Sequence, residues 1–65
     1  MKAYEVLSRR VERTGISVSE LARRTNIDHM ALRNALHGKR NVRAEELIVL
    51  SRELDLNFDD FADVA

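Results

Sequence analysis

Cysteine, proline and tryptophan are absent from this 65-residue chain, and glycine occurs only twice. Without cysteine there is no disulfide framework and no thiolate metal site. There are no low-complexity tracts, no repeats and no linker. The longest apolar run is Leu47-Ile48-Val49-Leu50, far short of the roughly 20 residues that span a bilayer. The opening Met1-Lys2-Ala3-Tyr4-Glu5 lacks the apolar core of a signal peptide. The expected compartment is therefore the cytoplasm. A chain of this length is one small domain, expected to occupy residues 1–65. Its thin core supplies on the order of a few kcal/mol, and a deep catalytic cleft is not expected in it.

Net charge is also lacking, with 11 basic and 11 acidic residues. The distribution matters more than the sum. Residues 1–43 carry ten cations against Glu5, Glu12, Glu20 and Asp28, an excess of six. Residues 44–65 carry Arg52 against seven carboxylates, the opposite excess. A positive part can dock on phosphates while an acidic part faces solvent or a partner.

What is present is helical periodicity. Tyr4, Leu7 and Val11 lie at helical spacing in a segment from Lys2 to about Arg13, closed by Thr14-Gly15. Ser17-Val18-Ser19-Glu20 has the form of a capping box opening a second helix that ends near Thr25. Asn26, tolerant of positive φ, makes the turn. Asp28 is the N-cap of a third helix with Leu32, Ala35 and Leu36 as its apolar stripe. His37-Gly38 stops it, and a basic loop, Lys39-Arg40-Asn41-Val42-Arg43, follows. A fourth helix runs from Ala44 to about Leu54, with Leu47, Ile48, Leu50 and Leu54 apolar. Asn57 caps a short last helix anchored by Phe58 and Phe61. Nothing alternates with period two, so the predicted fold is all-α, a compact bundle of five helices.

The second and third helices are separated by two or three residues, too few for an antiparallel hairpin. They must cross steeply, as a helix-turn-helix. Ala22 lets the third helix approach; Leu21, Ile27 and Leu32 fill the crossing. That leaves Asp28, His29, Met30, Arg33, Asn34 and His37 outward along roughly 15 Å of helix. A rod of this size fits the major groove, about 12 Å wide.

The segment Val18 to His37, VSELARRTNIDHMALRNALH, resembles the helix-turn-helix of Cro/repressor-type (XRE-like) DNA-binding proteins. The likeness continues through GKRNV and AEELIVLSRELDLNFDDF, so it covers about residues 4 to 61. Ala22, Asn26, Ile27 and the GKRN after the third helix are the matching marks. Asn26 stands where that family usually has glycine, and Thr25 where it usually has an apolar residue. The resemblance implies a lambda-repressor-like fold and a sequence-specific transcriptional regulator, a repressor acting by occupancy of an operator.

On that reading His29, Met30, Arg33 and Asn34 face base edges. Arg33 forks onto guanine or binds phosphate, Asn34 pairs with adenine and Met30 packs on a thymine methyl. Ser17, Ser19, Arg23, His37, Lys39, Arg40, Asn41 and Arg43 face phosphates. Asp28 is a helix cap. The expected partner is double-stranded operator DNA, in a nucleoid-associated state, bound by a weak homodimer on two half-sites. Phe58, Phe61 and Val64 are candidates for its interface, though both phenylalanines read first as core. No cofactor, membrane or metal is expected. His29 and His37 lack a third ligand at suitable spacing. Asp59, Asp60 and Asp63 lack the calcium-loop pattern. No glycine-rich phosphate loop or nucleophile motif suggests an enzyme. The competing reading is a protein-interaction module on the same scaffold, such as an antirepressor or an antitoxin, working through its acidic end.

Overall fold

A computed structural model of the chain describes residues 1–64. It has four α-helices: α1 (Ala3–Thr14), α2 (Val18–Thr25), α3 (His29–Leu36) and α4 (Ala44–Glu53). A 3-10 turn over Phe58–Phe61 follows, and no strand occurs among the described residues. The expected fifth helix is therefore corrected to a single turn. Asn57 does cap it, accepting from the Asp59 amide at 2.9 Å, and Asp60 reaches back to the Asn57 amide. Four residues are too few to offset the cost of nucleating an α-helix.

Local chemistry sets each boundary. Glu5 reaches back to the Lys2 amide at 2.8 Å to start α1, and Gly15 closes it in the left-handed conformation. Ser17 caps α2 by accepting from the Glu20 amide at 3.1 Å. The reciprocal arm of the expected capping box is not formed. The Glu20 carboxylate is turned instead toward Arg23 and Arg24, one turn ahead, where two cations outcompete one amide. Asn26 takes the left-handed conformation, φ 58°, as expected at the turn. Asp28 caps α3 through the Ala31 amide at 3.1 Å.

Leu7, Leu21, Leu32 and Leu50 are fully buried and form the centre of the core with Ala22, Leu36 and Leu54. The helix-turn-helix closes over it. Ala22 leaves room for α3, and its carbonyl accepts from the Ile27 amide at 3.2 Å. Thr25 is buried at the junction, where its hydroxyl donates to the Leu21 carbonyl at 2.8 Å and so meets no hydrogen-bonding deficit. Two apolar expectations need correction. Ile48 is exposed, because four successive apolar residues on α4 cannot share one face. Phe58 is 95% exposed; Phe61 packs against the core and Phe58 is left outside it.

No helix of the described residues is long and apolar enough to cross a membrane.

Candidate nucleic-acid interface

The third helix is eight residues, about 12 Å of rod. It buries Leu32, Ala35 and Leu36. His29, Met30, Arg33 and His37 are exposed along its other side, with Asn34 half-buried beside them. Of the four residues expected to read bases, three are thus open to a ligand and Asn34 in part. Arg33 makes no ion pair among the described residues, so its five donors remain for an external acceptor.

Three contacts fix this helix and the loop that follows it. The Ser8 hydroxyl of α1 donates to the Leu36 carbonyl. The Tyr4 ring lies against Gly38, whose φ of +75° favours glycine. A Cβ there would stand 2.6 Å from the Tyr4 ring, so the close approach also demands it. The Arg40 Nε donates to the Ala31 carbonyl at 2.8 Å, tying the following loop to the first turn of α3.

Arg40 changes the picture of the basic loop. Its Nη1 donates to the Asn41 carbonyl at 2.8 Å, and Nη1 and Nη2 make a fork with both oxygens of Glu46, each at 3.0 Å. The same carboxylate accepts from the Arg43 amide at 3.0 Å, completing the cap of α4. Arg40, expected to face phosphate, has its guanidinium engaged inside the chain. The Arg40 hydrogen bonds hold the Glu46 carboxyl below its ordinary pKa. Lys39, Asn41 and Arg43 stay exposed around this tie, and Lys39 and Arg43 make no ion pair among the described residues.

On the other flank, Ser17 and Ser19 are exposed at the start of α2. The Ser17 oxygen is used as a cap, which leaves its O–H as a donor. Arg23 is exposed but not free: Glu20 accepts from its Nε at 3.2 Å and from its Nη2. Arg24 Nε donates to the same carboxylate at 2.8 Å. Hydrogen bonds from Arg23, then Arg24, pull the Glu20 carboxyl down to about 2. Arg10, away from this face, donates to the Leu54 and Asp55 carbonyls at 2.9 and 3.2 Å, tying α1 to the end of α4.

Sequence reasoning missed Tyr4, Ser8 and Glu46 as supports of the interface. Tyr4 reads as a core position, and a serine hydroxyl meeting a carbonyl 28 residues away leaves no periodic trace. Glu46 lies on a helix face that reads as solvated. Among the described residues, no three His, Asp or Glu side chains gather as a metal site.

Comparison with the curated proteins and with the solved structures gives no match. The family described as Cro/C1-type HTH DNA-binding domain matches residues 6–64. That span takes in all of α2, α3, α4 and the connecting loops, together with most of α1. The side chains that pack the two short helices together and the open outer face of α3 lie within it. The chain belongs to the family of Cro/C1-type helix-turn-helix DNA-binding domains.

Proposed function

We propose that the chain is a sequence-specific transcriptional regulator, a repressor, that lays α3 in the major groove of an operator. The observation that carries this is the division of α3. Its leucines face inward, while His29, Met30 and Arg33 stand open beside flanks that bear exposed hydroxyls and cations. Those three side chains and Asn34 meet base edges. Ser17, Ser19 and Arg23 meet phosphates on one side; His37, Lys39, Asn41 and Arg43 meet them on the other. Arg40 holds the second flank in shape from within. Repression follows from occupancy, since a protein seated in the groove denies that stretch of duplex to polymerase.

The longest dimension of the molecule is 28 Å, less than one turn of DNA at about 34 Å. One copy therefore reads one groove segment, and we take the operator to hold two half-sites, filled by two weakly associating copies. Selection of bound duplexes from a random pool tests the reading. A recovered motif, arranged as an inverted repeat about one turn apart, is the expected result. Recovery of no motif, with binding independent of salt, would contradict it.

A further inference from the structure

The structure holds a negative group where the proposed phosphate contacts require positive ones. Glu20 lies one turn into α2, and its carboxylate takes three N–H donors from Arg23 and Arg24. The spacing is i+3 and i+4, so all three side chains share one face of the helix. One carboxylate thus cancels half the charge of the two guanidinia, beside the exposed serines that open the same helix.

We infer that Glu20 is an affinity-setting residue, a resident competitor for the DNA backbone that occupies Arg23 and Arg24 in the unbound protein. The inference rests on the DNA-binding reading above. Two features make the competition real. First, the cluster lies at the surface, with the Arg23 side chain 72% and the Arg24 side chain 51% exposed. Exposed pairs are weak, so phosphate can displace the carboxylate without rearranging the fold. Second, Glu20 is not needed to start the helix through its side chain. The Ser17 cap uses the Glu20 backbone amide, and the carboxylate makes no capping contact. The low pKa of the Glu20 carboxyl fits this placement: it stays charged wherever DNA binding is measured. Binding then exchanges an internal acceptor for an external one, and the net gain per arginine is smaller than for a free cation such as Arg33.

The test uses the full chain and a mixed-sequence duplex of 20 base pairs, titrated from 50 to 200 mM salt. Glu20→Gln keeps the shape and removes the charge. It is expected to bind about two- to fivefold tighter at the low end, the range given by exposed ion pairs. Its log–log salt slope should steepen by up to about one unit, as one more cation becomes available to phosphate. Glu20→Asp keeps the charge on a shorter arm and should fall between the two. Arg23→Ala should weaken binding more in the Glu20→Gln background than in the original chain, a coupling that loss of helix stability alone would not produce. Equal affinity and equal slope for the original and Glu20→Gln, with the duplex bound by both, would overturn the inference and leave the DNA reading standing. Duplex binding by none of the variants would overturn both.

Discussion

In the proposed reading Arg33 is the side chain on which base reading depends most, because it is long, cationic, exposed and unpaired at the middle of α3. Arg33→Ala should cost about 1–3 kcal/mol on the preferred duplex and relax the preference at one base pair. Titration against single-base variants of the selected site checks this; a uniform loss over all sequences would assign Arg33 to phosphate instead. Arg40 has a different role. With its guanidinium divided between the Ala31 and Asn41 carbonyls and Glu46, Arg40→Ala should act first on stability, by about 1–2 kcal/mol once partial exposure of the pair is discounted. The salt slope should change little, since no open cation is lost. Glu46 gives this pair a pH signature. Its folded-state pKa lies below the ordinary value, so the stabilisation is complete above the unfolded range near about 4.3 and is lost as pH falls through the lower folded value. Thermal melts should therefore show the original chain more stable than Glu46→Gln at pH 7, with the gap closing below about pH 4. A gap that persists unchanged at pH 2 would show that charge is not its source.

The elements owe their positions to short-range chemistry, but the aim of α3 is set from outside it. On α1, Ser8 holds its end at Leu36, and the Tyr4 ring lies against Gly38 just beyond it. Gly38→Ala would combine a left-handed φ with a Cβ 2.6 Å from the Tyr4 ring. The expected cost is about 1–3 kcal/mol, with weaker DNA binding as the ring is pushed aside. In a double-mutant cycle, adding Tyr4→Ala should recover part of that loss, and simple additivity of the two would show that they do not touch. The same contrast explains what was legible in the sequence. Ser17, Asn26 and Asp28 act on their immediate neighbours, so α2, its turn and the start of α3 were readable from residue type alone. The outer face of α3 was readable too, because Leu32, Ala35 and Leu36 fix the inner one. The capping arm of Glu20 was misread since its competitors, Arg23 and Arg24, lie in the next turn. The internal pairing of Arg40 was not readable, because a cation in a basic loop carries no mark of the carboxylate it faces across that loop. The last helix is shorter than expected for a similar reason: a cap and apolar residues can mark a helix start, but the length to propagate it is missing.

At the scale of the whole molecule, the two charge excesses do different work. The positive excess in residues 1–43 is thinned by internal pairing of Arg10, Arg23, Arg24 and Arg40, which favours discrimination over indiscriminate adhesion to phosphate. The negative excess in residues 44–65 surrounds Phe58 in sequence, the most exposed large apolar side chain described, with Asp59 and Asp60 next to it. We propose that the two copies meet through this end, which holds the interface candidates Phe58, Phe61 and Val64, when bound to adjacent half-sites. Like charges at that end oppose association in free solution, and salt relieves the opposition. Self-association should therefore strengthen with salt while DNA binding weakens, a pair of opposite trends readable by sedimentation and by titration. Phe58→Ser separates contact from fold. Since the ring lies outside the core, its loss should leave thermal stability within about 0.5 kcal/mol. Binding to a duplex with one half-site should be unchanged, and the cooperativity on a duplex with two should fall. A melting temperature lowered by several degrees would return Phe58 to the core, and cooperativity that survives the substitution would place the contact between copies elsewhere on the surface.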